Sequence, residues 1–228
     1  MLSTYFDHLL LASRKSEVEL DSPHISDVPV VLANIYQPLV NICVWQRQLT
    51  KPVANYADWL IKGEINYELR IILESDSVID SILKALPDHN GLRALAEDVN
   101  LLVTMFADLF ELKMVGIRLS ILDKAMCPKF HTDNLPCRLV TTYTGSGTEW
   151  LPEVAVDRSK LGRGANGLSD AISGVYLNQN SIQQLKTGDV ALLKGSGWLG
   201  NEDKAIVHRS PQLDMNEKRL ILTLDFGN

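Results

Sequence analysis

The stretch RLILTLDF at residues 219–226 alternates between two kinds of side chain. One row is uniformly apolar and consists of Leu220, Leu222, Leu224 and Phe226. The other row is mixed and consists of Arg219, Ile221, Thr223 and Asp225. Because successive side chains of a β-strand point to opposite faces, this stretch predicts a strand with a core on one side and a polar pocket on the other.

The same period of two recurs through the second half of the chain, from about residue 113. Strands are predicted at residues 115–121, 138–143, 174–177, 189–193, 205–208 and 219–226. Gly, Pro, Asn and Asp residues, which favour turns, separate them. Short strands at this spacing predict an antiparallel sandwich or barrel.

The first half of the chain has mainly helical periodicity. The clearest helix is predicted at residues 92–112, where apolar residues recur at alternating intervals of three and four. Weaker patterns predict helices at 25–36, 52–62 and 77–86, and a strand at 40–47. We therefore expect an α+β fold in which a helical region, residues 1–112, packs on a β-core, residues 113–228, as one compact unit.

Composition excludes several classes of protein. The chain is 46% hydrophobic and 22% charged, as expected for a globular protein, and its net charge of −6 argues against nucleic-acid binding. The three cysteines lack C-x-x-C spacing, which favours a reducing compartment. We recognise neither a signal peptide nor an apolar run long enough to span a membrane, so we expect a cytoplasmic protein.

Three residues have the chemistry of a metal site. His131 and Asp133 are two positions apart, so an extended backbone would point both to one side. His208 lies in a later predicted strand, and two His with one carboxylate form the facial triad of non-heme Fe(II) oxygenases. Arg219 follows His208 by eleven positions and would grip a carboxylate through two parallel hydrogen bonds.

Between Met114 and Phe226 the sequence resembles the Fe(II)/2-oxoglutarate dioxygenase superfamily. The blocks that carry the resemblance are FHTD at 130–133, RLVTTY at 138–143, TEW at 148–150, TGDVALL at 187–193, VHRSP at 207–211 and KRLIL at 218–222. The whole chain is also similar to a bacterial family of unknown function that shares F-H-x-D and G-x-G-T-E-W-L blocks. That family tends to be associated with responses to zinc limitation.

The resemblance to the superfamily implies a double-stranded β-helix, a jelly-roll like that of the cupins, for the C-terminal core. It implies that His131, Asp133 and His208 bind Fe(II), and that Arg219 and Tyr143 bind 2-oxoglutarate. The implied activity is that of a hydroxylase whose substrate, a small molecule or a protein, is unknown.

Other residues are weaker candidates. Arg138, Trp150 and Trp198 are candidates for substrate contacts, although core packing is the more usual role of a tryptophan in a β-protein. The glycine-rich residues 161–168 are either a lid over the site or an ordinary loop.

Two alternatives stay open at this point. The same donors suit Zn(II), which predicts a non-catalytic zinc-binding protein linked to metal homeostasis. They also suit a cupin-like metalloenzyme with non-oxidative chemistry. Arg219 favours the oxygenase over the zinc-binding protein, because a simple zinc site needs no carboxylate clamp. The oligomeric state and the role of the helical half cannot be read from the sequence.

Overall fold

A computed structural model describes residues 22–63, 67–74 and 77–227. The fold combines helices with a large sheet of seven strands and a small sheet of three. The strands of the large sheet, in spatial order, are β1 (His24–Ser26), β2 (Ile42–Trp45), β8 (Val190–Lys194), β5 (Cys137–Thr144), β10 (Arg219–Phe226), β4 (Val115–Leu122) and β3 (Glu68–Leu73). Those of the small sheet are β7 (Gln183–Gln184), β6 (Glu149–Leu151) and β9 (Val207–Arg209).

The three long α-helices precede β4 in the chain. The α-helices are α1 (Lys51–Lys62), α2 (Val78–Ala85), α3 (Leu92–Phe110) and the single turn α4 (Asp170–Ser173). The 3-10 helices are Pro29–Tyr36, Glu153–Ala155, Arg158–Lys160, Gly162–Ala165 and Gln179–Ser181. Among the described residues, no helix has the length and apolar character needed to cross a membrane.

The helices cover one face of the large sheet. The apolar stripe of α3 is buried along its length, and Leu95, Val99 and Leu102 are fully buried there. From the sheet side, Leu220, Leu222 and Leu224 of β10 join the same core. Burying a leucine side chain contributes about 1.5–3 kcal/mol, so this face supplies much of the stability of the fold.

The opposite face of the large sheet looks toward the small sheet. Near β2 and β8 the space between the sheets is filled by a second apolar cluster that includes Ile42, Ala191, Leu193 and Trp150. Near β10, β4 and β3 polar and apolar side chains are mixed, and they line a cavity of about 490 Å³. As predicted, the apolar row of residues 219–226 therefore faces the helix-covered core, and the mixed row faces the side of the sheet with the cavity.

Most of the predicted elements are present, with corrections. The prediction of a strand at 174–177 is wrong. Gly174, with φ of +82°, ends α4. Of the described residues 174–177, only Val175 accepts a backbone hydrogen bond from another segment, that of the Asp157 amide. The helix expected at 25–36 is a 3-10 helix that starts at Pro29, preceded by β1. Strand β3 was not predicted. Since β2 pairs with β8 and β3 pairs with β4, the described part of the first 112 residues contributes to the large sheet as well as to the helical layer.

Candidate metal centre

Backbone pairing brings His131 and His208 side by side. The amide of each donates to the carbonyl of the other, at 3.0 Å in both directions, in an antiparallel bridge next to β9. Directly opposed residues of such a bridge point to the same side of the sheet. The two imidazole rings accordingly lie 4.6 Å apart, centroid to centroid.

Asp133 completes the cluster. Its carboxylate oxygens lie 3.7 Å from Nε2 of His131 and 3.6 Å from Nε2 of His208. One donor atom from each of the three residues lies within 4.8 Å of the other two. His208 is buried and the other two are partly buried, so the donors line an enclosed recess that still has access to solvent.

The hydrogen bonds of both rings leave Nε2 free to bind a metal. Nδ1 of His131 lies 2.9 Å from the carbonyl oxygen of Lys129, and Nδ1 of His208 lies 3.3 Å from that of Ile206. A carbonyl oxygen only accepts, so Nδ1 carries the proton in each ring. Burial lowers the pKa of His208 to about 4, although the negative charge of Asp133 acts in the other direction. The His208 ring is therefore neutral at pH 7. Metal binding requires that neutral form.

The loop that carries Asp133 is held by the end of β8. The amide of Ser196 donates to the carbonyl of Asp133 at 2.8 Å, and the Ser196 hydroxyl donates to the same oxygen at 3.2 Å. Gly195 allows this approach, because a Cβ there would lie 2.0 Å from the carbonyl oxygen of Leu135. Any other residue at position 195 would push this loop, and Asp133 with it, away from the cluster.

Arg138 orients the metal-facing carboxylate. Its Nη1 donates to Asp133 at 2.8 Å, while Nε and Nη2 donate to Asp225 at 2.7 and 2.8 Å. Arg138 was predicted to contact substrate; it does line the cavity, and two of its neighbours are these carboxylates. The paired guanidinium holds the Asp133 carboxylate in a single orientation.

A second charged network, centred on Arg209, supports the His131 segment. Arg209 donates to Glu149 at 2.6 Å and to Asp170 at 2.8 Å, and its guanidinium lies 4.3 Å from the ring centroid of Phe130. Asp170 also accepts from the amide of Phe130 at 2.9 Å. Sequence analysis missed this network, because Glu149, Asp170 and Arg209 lie far apart in the chain and share no motif.

Arg219 is fully buried, with 1% of its surface exposed. Its Nη2 donates to the hydroxyls of Thr142 and Thr148, at 3.0 and 3.3 Å. Among the residues that the structure describes, Nε and Nη1 of Arg219 have no hydrogen-bond partner. Burial lowers the pKa of Arg219 to about 10, and the charge of Glu217 opposes that shift.

Two unpartnered donors on a buried cation are costly unless a ligand satisfies them. A carboxylate from a bound molecule has the charge and the two acceptor oxygens to do so. Thr148 links this region to the histidines, since it bonds Arg219 and also lines the cavity with His131 and His208. Thr148 thus connects two functional groups: the cluster of metal-binding donors and the unsatisfied guanidinium of Arg219, which lies next to this cavity-lining threonine.

The structure does not bring Tyr143 to this region. Tyr143 lies on the helix-facing side of β5, in the opposite direction from Thr142, and its hydroxyl donates to Asp98 at 2.7 Å. Thr142, its neighbour in sequence, provides the hydroxyl that Arg219 uses. Thr142, and not Tyr143, is therefore the residue of β5 that lies beside Arg219.

The two tryptophans singled out in the sequence lie outside the cavity lining. Trp150 is buried between the sheets, in the apolar cluster beside the cavity, where it pairs in register with His208. Trp198 packs edge-on against Tyr36 and Phe110. Both tryptophans therefore pack against other apolar side chains, which is the more usual role that the sequence analysis named beside substrate contact.

The glycine-rich segment 161–168 contacts the segment that carries His131 through Lys129. Lys129 Nζ donates to the carbonyl of Leu168 at 3.0 Å, and Gly167 accepts from the same nitrogen at 3.4 Å. Part of this segment is the 3-10 helix Gly162–Ala165.

Solved structures resemble this chain only remotely. Dioxygenase for auxin oxidation 1 from Arabidopsis thaliana, solved with 2-oxoglutarate, is 11% identical, with 78% of this chain and 73% of that chain covered and a TM-score of 0.43. An oxidoreductase of the 2OG-Fe(II) oxygenase family from Burkholderia pseudomallei is 12% identical, with 91% and 93% covered and a TM-score of 0.43. A prolyl-4-hydroxylase from Pseudomonas putida is 10% identical, with 86% and 96% covered and a TM-score of 0.41.

A comparison with curated proteins finds no match. A family model described as protein of unknown function (DUF1826) matches residues 26–225. This match spans nearly all of the chain, and it includes both the metal-facing cluster and Arg219. The chain therefore belongs to the family of proteins of unknown function DUF1826.

Proposed function

We propose that the protein is an Fe(II)/2-oxoglutarate-dependent oxygenase of the hydroxylase type, built on a double-stranded β-helix. One observation supports this above all: two His and one Asp form a cluster of metal-binding donors, and Thr148, which lines the cavity with the two His, accepts a hydrogen bond from a buried arginine that has two unsatisfied donors. A metal centre and a carboxylate clamp are the two parts that an oxo-acid-dependent oxygenase needs from its protein.

The donor set suits iron. His131, His208 and Asp133 would bind the metal through two imidazole Nε2 atoms and one carboxylate oxygen, which is the facial triad of non-heme Fe(II) oxygenases. Three protein ligands on one side leave the remaining positions open for a chelating cosubstrate and O2. Bound iron would activate O2 as the four-electron oxidant: two electrons would come from 2-oxoglutarate, which yields succinate and CO2, and two from the substrate that is hydroxylated.

Arg219 would hold the far carboxylate of the cosubstrate. Nε and Nη1 are the unsatisfied donors, and Thr142 and Thr148 already hold the third nitrogen in place. A guanidinium that is preorganised in this way loses little entropy on binding, and the buried setting strengthens its interaction with an anion.

The other polar residues would keep the centre in one arrangement. Arg138 orients Asp133, and the Arg209 network positions the segment that carries His131. The packing of Trp150 between the sheets closes one end of the interior, which restricts water to the cavity itself. The chain thus contributes geometry, charge and shape, whereas the oxidation belongs to the metal and cosubstrate.

The decisive test is anaerobic titration of metal-free protein with Fe(II) and 2-oxoglutarate, followed by the weak visible charge-transfer absorption of the chelate. We expect this absorption in the wild type and its loss in Arg219→Met at moderate 2-oxoglutarate concentration. Tyr143→Phe is the matched control, because Tyr143 lies on the opposite face of the sheet and should leave the signal unchanged.

Turnover provides the second measurement. On admission of O2, 2-oxoglutarate should be converted to succinate slowly even without a substrate. If Zn(II) binds through the three donors while 2-oxoglutarate neither chelates Fe(II) nor yields succinate, the oxygenase proposal is wrong and a zinc-binding role replaces it.

A further inference from the structure

Two arginines lie where the cavity reaches the edge of the large sheet. Arg118 of β4 and Arg70 of the edge strand β3 are directly opposite each other in the register, and both line the cavity. Their side chains are 26% and 64% exposed, so both guanidiniums are open to solvent. His131 and His208 line the same cavity, with side chains 32% and 7% exposed.

These arginines differ from the others that line the cavity. Arg138 and Arg209 are each paired with two carboxylates. Arg70 and Arg118 instead share the single carboxylate of Glu68, whose Oε1 lies 2.5 Å from Nε of Arg70 and 2.7 Å from Nε of Arg118. Among the residues with a described position, this part of the cavity lining therefore has two cations for one anion, in a chain whose net charge is −6.

Hydrogen-bond donors remain available on both guanidiniums. Among the described residues, neither Nη atom of Arg70 nor Nη2 of Arg118 makes a hydrogen bond. Nη1 of Arg118 donates only to the sulfur of Met126, at 3.0 Å, which is a weak acceptor. Glu68 is 45% exposed, so a ligand could join or displace it without burying a new unpaired charge.

Apolar side chains also line the cavity, among them Ile72, Met126, Val140 and Ile221. A molecule that reaches from the arginines to the histidines needs an anionic end and an apolar body. Glu68 shows which anion the arginines accept, since one carboxylate already lies between them.

We propose that the substrate is a small organic acid whose carboxylate binds Arg70 and Arg118 and whose apolar body reaches toward His131 and His208. The part of this inference that concerns a reaction rests on the proposed oxygenase function, whereas the binding itself does not. A positive opening in an acidic protein would also concentrate such anions near the cavity.

The test measures binding without turnover. Protein loaded with Zn(II) and saturated with 2-oxoglutarate is titrated with phenylacetate and with hexanoate, and ligand-observed NMR gives the Kd of each. Phenylacetamide and hexanamide have the same shapes without the charge. We expect each acid to bind the wild type at least about ten-fold more tightly than its amide, as charge-assisted hydrogen bonds predict.

Substitutions then locate the carboxylate. Arg118→Gln and the more exposed Arg70→Gln should each raise the Kd of the acids about ten-fold and leave that of the amides unchanged. Arg93→Gln, which removes an exposed arginine of α3, is the matched control and should change neither. Glu68→Gln should tighten binding of the acids, whereas Glu97→Gln, with the same change in net charge, should not.

Several results would overturn the proposal. These are equal affinities for acid and amide in the wild type, unchanged affinity in both Arg70→Gln and Arg118→Gln, and loss of acid binding in Arg219→Met alone. Stronger binding of benzylphosphonate than of phenylacetate would assign the arginines to phosphate-like ligands instead. Failure of the oxygenase proposal would appear separately, as the absence of the charge-transfer absorption and of succinate, because the Kd measurements require no reaction.

Discussion

The two faces of the large sheet are built by the same strands and have opposite roles. On the helix side, β10 contributes leucines to the apolar core. On the cavity side, the same strand contributes Arg219, with unsatisfied donors, and Asp225, which holds Arg138. The helix side therefore stabilises the fold. This stabilisation offsets the free-energy cost of the polar groups on the cavity side that have no partner without a ligand.

Two buried arginines show the difference most directly. Arg47 lies on the helix side and donates two hydrogen bonds to Asp98, at 2.6 and 2.9 Å. Burial alone would lower the pKa of Arg47, but its hydrogen bonds and attraction to Asp98 outweigh burial and raise it. Arg219 has no such partner, and burial lowers its pKa to about 10. A paired arginine is part of the structure, whereas an unpaired one is prepared for a ligand.

The largest effect is expected on metal binding. Asp133→Ala removes one of three donors and leaves Arg138 without one of its carboxylates. Removing a residue that only hydrogen-bonds to a metal ligand typically lowers metal affinity by about 10- to 100-fold, and removing the ligand itself should lower it more. Calorimetric titration with Zn(II) measures it, with the exposed Asp80→Ala as control. Wild-type affinity in Asp133→Ala would show that the metal centre lies elsewhere.

The next prediction compares the two arginines. Arg47→Met leaves Asp98 without its cation and should lower the free energy of unfolding by about 3 kcal/mol, with no effect on 2-oxoglutarate affinity. Arg219→Met removes an unpaired buried charge and should leave stability unchanged or raise it, while 2-oxoglutarate affinity falls about 10- to 100-fold.

Urea unfolding and the charge-transfer titration measure the two quantities in parallel. A loss of stability in Arg219→Met as large as that in Arg47→Met would mean that both arginines are structural, and the comparison between the faces would fail.

A third prediction concerns two adjacent residues of β10. Leu222→Ala should destabilise the protein by about 2–5 kcal/mol, because it opens a cavity in a fully buried core. Thr223→Ala, one position along on the cavity side, should cost clearly less, since Thr223 is only partly buried. Urea unfolding of both variants gives the difference directly, and equal costs would contradict the assignment of the two faces.

The smallest effect is expected for Tyr143→Phe. The variant loses one hydrogen bond to Asp98 and should lose about 1 kcal/mol of stability. Its affinity for 2-oxoglutarate should match that of the wild type. Reduced affinity with unchanged stability would return Tyr143 to the cosubstrate role that the family resemblance implied.

Periodicity alone was sufficient to separate the faces of β10 and to point His131 and Asp133 to one side. It was insufficient for β5, where residues on both faces are buried and alternation is therefore weak. The role of Tyr143 came from the family resemblance, and the weak alternation of β5 gave no signal against it. A count of two from Arg138 leads instead to Val140 and Thr142. Alternation shows a face only where the two environments differ in polarity.

Partners from distant segments left no sequence signal. Arg70 and Arg118 meet because β3 pairs with β4, and β3 was not predicted. Arg209 meets Glu149 through the pairing of β6 with β9. Such contacts depend on strand register, which a single sequence does not reveal.

The backbone bridge between His131 and His208 has a consequence for the choice of metal. Two hydrogen bonds hold the imidazoles together before any ion arrives, so the ion is not needed to assemble its own site. A preformed set of two His and one carboxylate binds the later first-row metals more tightly than Fe(II), following the Irving–Williams order. Mismetallation with zinc or copper is therefore the expected state of protein purified in air. The resident metal in the cell would depend on which ion is supplied there, and iron occupancy would fall as free zinc rises.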